Sequence, residues 1–381
     1  MVEMLVERLR PFHSSVFGEI SQLAVVHGAI DLGQGFPDYG GPQAMLDIAR
    51  AAIADGMNQY PPSNGQPGLR EAIVTEHAER VGSDYDVETE VLVTSGATEA
   101  LTAAILGLVE PSDEVVLIEP FYDSYAAAVA MVGATRRTVA MVPDGDGFTL
   151  DLDELRRAIT PRTRLLVVNS PHNPTGSLLT VQDLHTIAEL ACARDFLVVA
   201  DEVYEHLAFD PHPHVSIASL PGMRERTIVV SSAAKTFNVT GWRIGWALGP
   251  AELIEAVHAA KQYLAFVAAA PFQPAIAYAL EYEREWVAAS RIELQRKYQL
   301  LSSALDDLGF DVKRSAGGYF VCADIGSDGT AFCRELPARV GVAAIPVSAL
   351  ADRSDWNTLV RFAYCKQDAT LHEAISRLKR L

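Results

Sequence analysis

Between Val91 and Leu248 the sequence alternates short, almost wholly apolar runs with segments of helical periodicity. Strands with no polar face are typical of a mostly parallel sheet with helices on both sides, because both faces of such strands are buried. We therefore predict an α/β fold, with a ligand site beyond the carboxyl ends of the strands. The apolar runs predict a seven-stranded sheet: Val91–Thr94, Val115–Ile118, Arg137–Val142, Leu165–Asn169, Leu197–Asp201, Thr227–Val230 and Gly245–Leu248.

The chain of 381 residues is too long for one simple core, so two domains are expected. One or two long helices between Ala275 and Leu308 predict a bridge out of the large domain, and short strands and helices follow it. We predict a large domain at 41–284 and a smaller α+β domain at 285–381. The N-terminal segment, 1–40, is expected to join the small domain.

The formal net charge is −18, which argues against nucleic acid or an anionic membrane surface as a partner. Cys192, Cys322, Cys333 and Cys365 lie far apart without metal-ligand spacing, and we predict buried free thiols in a reducing compartment. No metal site is predicted. The first ten residues lack the apolar core of a signal peptide, and no apolar run approaches membrane-spanning length. We expect a cytoplasmic protein.

Lys235 follows the predicted strand Thr227–Val230 and lies among small and apolar residues. A desolvated amine loses its proton more easily, and a neutral amine can form a Schiff base with a carbonyl. The hydroxyl of Ser232 and the guanidinium of Arg243 are close by in sequence, which suits an aldehyde cofactor that carries a phosphate. The alternative is an ordinary lysine in an exposed loop.

Two further strand ends carry residues suited to such a cofactor. Small residues at Ala97 and Thr98 open a predicted helix, whose first amides could bind phosphate. Tyr122 follows a strand and could stack on a flat ring. Plain helix capping and core packing are the competing interpretations.

Asn173 and Asp201 follow neighbouring apolar strands. Two prolines fix the loop of Asn173, which leaves its amide free for a ligand or for a rigid turn. A buried Asp201 needs a cation, and a protonated pyridine nitrogen would be one; a salt bridge or a cap within the protein is the alternative. Tyr204, three residues after Asp201, could reach an oxygen on the same ring.

Arg361 lies inside an apolar stretch of the predicted small domain. A guanidinium recognises a carboxylate through two parallel hydrogen bonds, so Arg361 is a candidate for binding a substrate carboxylate. An ion pair within the protein is the competing interpretation. Gly35 permits close approach of the backbone to a ligand, or marks a simple turn.

With these residues, the chain resembles the class I/II aminotransferases, which are pyridoxal-phosphate-dependent enzymes of fold type I, from about Pro11 to its C-terminus. The motifs that carry the resemblance are Gln34-Gly35-Phe36-Pro37, Asn58-Gln59-Tyr60, Asn173-Pro174-Thr175-Gly176, Asp201-Glu202-Val203-Tyr204-Glu205, Ser232-Ala233-Ala234-Lys235, Gly241-Trp242-Arg243-Ile244-Gly245-Trp246 and Arg361-Phe362.

The resemblance implies that Lys235 forms the Schiff base with pyridoxal 5′-phosphate and that Asp201 pairs with the pyridine nitrogen. It implies that Tyr204 and Asn173 bond the ring oxygen and that Tyr122 stacks on the ring. The implied phosphate ligands are Ala97, Thr98, Ser232, Arg243 and, from a second subunit of a homodimer, Tyr60. The implied ligands of the substrate α-carboxylate are Arg361, Gly35 and Asn173. Amino-acid and 2-oxo-acid substrates are implied.

Within the family, the stretch Glu119–Tyr125 is similar to the kynurenine/glutamine transaminase and cysteine-conjugate β-lyase branch. The stretch Ala260–Leu264 is similar to actinobacterial N-succinyldiaminopimelate aminotransferases, which function in lysine biosynthesis. Ala268 stands where the kynurenine-type enzymes have a pocket aromatic, which weakens kynurenine as the substrate. We expect transfer of an amino group to 2-oxoglutarate, with β-elimination from cysteine conjugates as the alternative reaction.

Two other classes fit poorly. A transcription regulator on the same fold needs a basic winged-helix module, which the short N-terminus and the acidic charge do not provide. A nicotinamide dehydrogenase needs a glycine fingerprint, and none follows the predicted strands.

Overall fold

The computed structural model describes residues 4–12 and 15–381. The strands are β1 (Ile30–Asp31), β2 (Val91–Thr94), β3 (Glu114–Glu119), β4 (Thr135–Asp144), β5 (Gly147–Leu150), β6 (Thr163–Asn169), β7 (Leu197–Asp201), β8 (Thr227–Ser232), β9 (Gly245–Leu248), β10 (Asp311–Lys313), β11 (Phe320–Asp324), β12 (Val342–Ala343), β13 (Ile345–Pro346) and β14 (Leu359–Ala363).

The helices are α1 (Val16–His27), α2 (Gln43–Ala54), α3 (Pro67–Val81), α4 (Ala97–Leu108), α5 (Asp123–Val132), α6 (Leu152–Ala158), α7 (Val181–Arg194), α8 (Ala233–Thr236), α9 (Ala251–Lys261), α10 (Gln273–Tyr282), α11 (Arg284–Asp306), α12 (Gly329–Val340) and α13 (Asp368–Leu378). Short 3₁₀ turns connect several of them.

The large sheet has the strand order β2-β9-β8-β7-β6-β3-β4-β5. Its central pairs, from β8 through β7, β6 and β3 to β4, are parallel, whereas β9 pairs antiparallel with both of its neighbours. The strands β2, β3 and β8 are buried along their whole length. The predicted α/β class with a mostly parallel sheet, helices on both faces and a smaller α+β unit is therefore confirmed.

The sheet has eight strands where seven are predicted from the sequence. The additional strand, β5, forms an antiparallel hairpin with β4 in which Asp144 pairs with Gly147. Gly145 in the turn has a φ of 58°, a left-handed conformation that hairpin turns of this length require. The sequence Asp144-Gly145-Asp146-Gly147 carries the hairpin signal, which the apolar pattern alone does not reveal.

A second sheet, with the order β10-β11-β14-β13, is antiparallel throughout. The strand β1 pairs with β12, and α1 packs against α12, so the N-terminal segment contacts the C-terminal third of the chain. The bridge predicted between Ala275 and Leu308 is two helices, α10 and α11, separated at Glu283. The division of the chain at residues 40 and 284 stays a prediction.

The prediction of a buried thiol is wrong for one of the four cysteines. Cys322, Cys333 and Cys365 are buried and free, but Cys192 is exposed on α7. Apolar neighbours in sequence do not decide burial on a helix, because consecutive residues there point in directions about 100° apart. Across residues 4–12 and 15–381, no helix combines the length and the apolarity that crossing a bilayer requires.

Gly107, in the interior of α4, marks close packing of α4 against α9. A Cβ atom added there would lie 2.3 Å from the backbone oxygen of Ala256, whereas one at Gly68, in the first turn of α3, would meet nothing within 4 Å. We expect Gly107→Ala to lower the free energy of unfolding by about 1–3 kcal/mol, because the backbone of α9 must move. Gly68→Ala should stabilise the protein by up to about 1 kcal/mol, through helix propensity. Denaturant unfolding of both variants tests this, and equal effects would contradict it.

Candidate active site

A cavity of about 430 Å³ lies at the carboxyl ends of the central strands. It brings together eleven of the twelve site residues predicted from the sequence: Gly35, Ala97, Thr98, Tyr122, Asn173, Asp201, Tyr204, Ser232, Lys235, Arg243 and Arg361. The twelfth, Tyr60, is absent from this lining. Its side chain is 81% exposed and packs edge-on against Phe266, with 5.5 Å between the ring centroids.

Lys235 lies on α8, the single helical turn that follows β8. Its Nζ atom donates a hydrogen bond of 2.8 Å to the backbone oxygen of Gly35, and the rings of Tyr204 and Tyr319 lie within 6 Å. Burial lowers the pKa of Lys235 to about 8, because the charged form is poorly solvated there. The lysine is therefore not the exposed loop residue of the competing interpretation.

The backbone of this turn is fixed from two directions. The hydroxyl of Ser232 caps α8 by accepting from the Ala234 amide at 3.1 Å, and it donates to the oxygen of Ile244 at 3.0 Å. The hydroxyl of Tyr319, which precedes β11, lies 2.8 Å from the backbone oxygen of Lys235. The amine is thus carried on a segment that both sheets hold in place.

Asp201 is the last residue of β7 and is 4% exposed. Its carboxylate accepts hydrogen bonds from the hydroxyl of Tyr125 and from the amide of Val203. Burial raises the pKa of Asp201 to about 6. Within residues 4–12 and 15–381 it forms no salt bridge, although the charge of Lys235 in the same cavity favours its ionised form. A closer cation could therefore come from a ligand.

Asn173 is held by its neighbours so that part of its amide stays available. Its backbone amide donates to Asn169 Oδ1 at 2.7 Å, and its side-chain oxygen accepts from Arg361 Nη1 at 3.0 Å. Asn173 lines the cavity together with Tyr122 and Tyr204. His172, next to it, bonds Thr175 at 2.8 Å and serves the turn.

The N-terminus of α4 forms a cradle with Arg243. Gly96, the residue before α4, has a φ of 80°, and a Cβ atom there would lie 2.5 Å from Arg243 Nη2. The guanidinium can therefore lie beside the first amides of the helix only because residue 96 is glycine. Backbone amides and an arginine at a helix N-terminus form a typical phosphate site. The sequence motif contains Gly96, but its close approach to Arg243 becomes evident only from the structure.

Arg361, on β14, is 2% exposed and has no carboxylate partner among the described residues. It donates to Asn173 and to the backbone oxygen of Gly33, and its Nε atom is buried without a hydrogen bond. Burial lowers its pKa to about 10. An internal ion pair is thus excluded for the described part of the chain, and the free guanidinium suits a ligand carboxylate.

The lining of the cavity fits a flat anionic ring compound together with a carboxylic acid. It offers a reactive amine, an uncompensated carboxylate, a phosphate-type cradle and an unpaired arginine. The lining also includes residues that the sequence analysis does not single out, among them Phe17, Asp123 and Ser124. The centroid of the Phe17 ring lies 5.0 Å from Cζ of the Arg361 guanidinium. Ala268, noted above as a departure from the kynurenine type, is buried elsewhere in the core.

Outside this cavity, Glu76, Glu205 and His206 approach one another as metal ligands could. The Arg80 guanidinium already occupies the space between the two carboxylates, at 2.9 Å from Glu76 and 2.6 Å from Glu205. The group is a buried ion pair of the protein, since a divalent cation would be repelled by the arginine.

These features define an aminotransferase, and the chain belongs to the family of class I and II aminotransferases, whose model matches residues 27–378. It is 58% identical to a probable N-succinyldiaminopimelate aminotransferase DapC of Mycobacterium tuberculosis, over 98% of both chains. The solved structure of N-succinyldiaminopimelate aminotransferase from that organism superposes with a TM-score of 0.97 at 59% identity, covering 98% of this chain and 99% of the other. A methionine aminotransferase of Escherichia coli is 36% identical, over 98% of this chain and 97% of its own.

The lowered pKa of Lys235 predicts unusual reactivity of its amine toward an acylating reagent. In the cofactor-free protein, labelling of Lys235 should be half-maximal near pH 8, whereas in the denatured chain it should follow an ordinary lysine near pH 10.4. Mass spectrometry of the labelled peptide at a series of pH values measures both. An identical midpoint in both states would contradict the prediction.

The difference between the pKa of Lys235 in the folded and in the unfolded chain also affects stability. Between these two pH values the unfolded chain binds more protons at Lys235 than the folded chain. This residue therefore makes the free energy of unfolding rise with pH across that window.

Proposed function

We propose that the cavity binds pyridoxal 5′-phosphate and that the enzyme uses it to transfer an amino group from an amino acid to a 2-oxo acid. The observation that carries the proposal is the placement of the Lys235 amine, the Asp201 carboxylate and the Arg361 guanidinium in one cavity. Among residues 4–12 and 15–381, no charged side chain forms a salt bridge with any of the three. Each is thus free for a different part of the cofactor and substrate.

The proposed cofactor ligands are groups that line the cavity. Lys235 would join the aldehyde carbon, and Asp201 would face the pyridine nitrogen. Tyr204 and the NH₂ group of Asn173 would bond the ring oxygen, and Tyr122 would cover one face of the ring. The phosphate would lie between Arg243, Ser232 and the amides of Ala97 and Thr98. The Ser232 hydroxyl, which donates to the Ile244 oxygen in the structure, would exchange that hydrogen bond for one to the phosphate. When bound, the cofactor supplies a ring that accepts the electron pair released at the substrate Cα.

The residues of the chain would perform the remaining chemistry. Arg361 binds the substrate α-carboxylate, helped by Asn173 and by the backbone at Gly35. Lys235, once displaced by the substrate amine, takes the proton from Cα as a base, and a pKa near 8 suits that task at neutral pH. Asp201 holds negative charge beside the ring nitrogen and keeps a proton there.

We further propose that Tyr60 acts in the site of a second copy of the chain. Tyr60 is exposed beside Phe266, and the exposed side chains of Tyr263, Leu264 and Met57 lie in the same two segments. Large apolar side chains gathered at an exposed surface are typical of an interface. A homodimer would cover these side chains and bring the Tyr60 hydroxyl to the phosphate of its partner.

For the substrate, we propose N-succinyl-LL-2,6-diaminopimelate, an intermediate of lysine biosynthesis, with 2-oxoglutarate as the acceptor in a ping-pong reaction. The 58% identity to the probable DapC, over nearly the full length of both proteins, supports this choice. A cytoplasmic location fits such a biosynthetic enzyme. It also fits three buried thiols that form no disulfide.

The second candidate is a transaminase of the kynurenine, glutamine or methionine type with cysteine-S-conjugate β-lyase activity. A mouse kynurenine–oxoglutarate transaminase 3 is 36% identical, over 97% of this chain and 88% of its own length, which keeps this alternative in place.

Lys235→Ala tests the cofactor assignment. We expect this variant to lose both the visible absorption band of the lysine-bound cofactor and transamination, because Lys235 is the one lysine among the described residues that line the cavity. Absorption spectra after incubation with pyridoxal 5′-phosphate measure the first effect. Lys297→Ala, at a buried lysine of α11, is the matched control and should keep the band. A normal band and normal turnover in Lys235→Ala would refute the assignment.

A panel of amino donors separates the two substrate proposals. With 2-oxoglutarate as the acceptor, we expect kcat/KM for N-succinyl-LL-2,6-diaminopimelate to exceed those for kynurenine, glutamine and methionine by about 10- to 200-fold, the range that pocket contacts supply. Pyruvate and ammonia released from a cysteine conjugate without an oxo acid would report β-elimination. Equal rates across the panel, or dominant β-elimination, would favour the second candidate.

A further inference from the structure

A phenol behind the cavity, that of Tyr125, holds the carboxylate of Asp201. Tyr125 lies on α5, is 3% exposed and does not line the cavity itself. Its hydroxyl donates a hydrogen bond to Oδ2 of Asp201. The other carboxylate oxygen, Oδ1, accepts only from the Val203 amide, at 3.3 Å. Among the described residues, the phenol is thus the side-chain donor to this carboxylate, and the Val203 amide is the backbone donor.

Tyr125 also supports Tyr122, the ring proposed to cover the cofactor. The two rings meet edge to face, with centroids 5.7 Å apart and an interplanar angle of 89°. One buried side chain thus contacts two groups that face the proposed cofactor, one through its hydroxyl and one through its ring. The substitution Tyr125→Phe would remove the hydrogen bond to Asp201 and leave the ring contact with Tyr122 in place.

We propose that Tyr125 is a positioning residue of the reaction, which aims the Asp201 carboxylate at the ring nitrogen of the cofactor and keeps it ionised. The inference rests on the proposed binding of pyridoxal phosphate. Tyr125 acts through Asp201 and touches neither cofactor nor substrate. A phenol that is fully buried keeps its proton, so it remains a donor across the working pH range.

The charges around Asp201 fix the sign of the expected effect. Lys235 favours the ionised carboxylate, whereas Glu205 and the phenols of Tyr122 and Tyr204 are the other titratable groups near it. Burial raises the pKa of Asp201, and the hydrogen bond from Tyr125 lowers it. Loss of the hydroxyl therefore raises the pKa of this carboxyl. Asp201 then becomes protonated at a higher pH and pairs less well with the ring nitrogen.

Tyr125→Phe in the holoenzyme tests the proposal. A hydrogen bond to a charged group suggests about a tenfold or larger increase in the dissociation constant of pyridoxal 5′-phosphate. The acid limb of the pH titration of the cofactor's visible absorption should move upward by about one pH unit. kcat should fall with little change in KM, because the substrate contacts are intact. An unchanged dissociation constant and pH titration, with only a lower unfolding temperature, would overturn the proposal.

Two further variants make the result specific. Tyr85→Phe is the matched control, since Tyr85 is also buried but its hydroxyl bonds no described residue, and it should change none of these quantities. In an Asp201→Asn background, Tyr125→Phe should have little additional effect on cofactor affinity, since the phenol acts through the carboxylate. Additive losses in the double variant would contradict the coupling.

The wild-type holoenzyme provides a measurement that needs no substitution at Tyr125. With tyrosine labelled at Cζ, the NMR signal of Tyr125 should shift at the same pH as the acid limb of the absorption titration. A signal that does not respond there overturns the proposal even where Tyr125→Phe fails to fold. A wild-type protein that does not bind pyridoxal phosphate would instead refute the proposed function.

Discussion

The active-site cavity holds three charged side chains that form no salt bridge with described residues, and the rest of the site depends on how they are placed. Lys235, Asp201 and Arg361 are each surrounded by protein in one cavity, and none forms a salt bridge within the described chain. Elsewhere some buried charges are paired, although Lys261 on α9 is also buried, bonds backbone oxygens and forms no salt bridge among the described residues. Glu114, at the start of β3, is 0% exposed and is contacted by Arg137, Arg162 and Thr160. These contacts hold the pKa of Glu114 at about 2. The three cavity groups differ from such isolated cases because they line one cavity, where a bound ligand could offset the energetic cost of all three.

The register of three neighbouring strands determines where these groups meet. Asn169 at the end of β6 pairs with Asp201 at the end of β7, and Asp201 pairs with Val230 of β8. The strand β8 continues to Ser232 and the turn that carries Lys235. A shift of one residue between β7 and β8 would turn the carboxylate to the other face of the sheet, because side chains alternate along a strand. The apolar side chains that fix this register are consequently part of what aligns the amine with the carboxylate.

Much of this arrangement could be predicted from the sequence, because its signals are local. Apolar runs identify the strands of the large sheet, and polar residues at their carboxyl ends identify Asn173, Asp201 and Lys235. The contribution of Gly96 could not be predicted in the same way, since its close approach to Arg243 joins segments nearly 150 residues apart in sequence. Tyr125 resembles any core aromatic until the geometry of β7 places Asp201 against it. Whether Arg361 pairs with a carboxylate of the protein is likewise decided by contacts distant in the chain. The exposure of Cys192 depends on the face of α7, which the composition around it does not encode.

The hydroxyl of Tyr319 connects the smaller sheet directly to the reactive amine. This residue precedes β11, and its oxygen bonds both the backbone of Lys235 and the side chain of Asn238. The strand β11 is also the partner of β14, which carries Arg361. A rotation of the smaller sheet toward the larger one would thus carry the carboxylate-binding arginine and pull on the peptide group of the lysine in a single movement. Binding of the substrate carboxylate by Arg361 and repositioning of the Lys235 amine would then occur together.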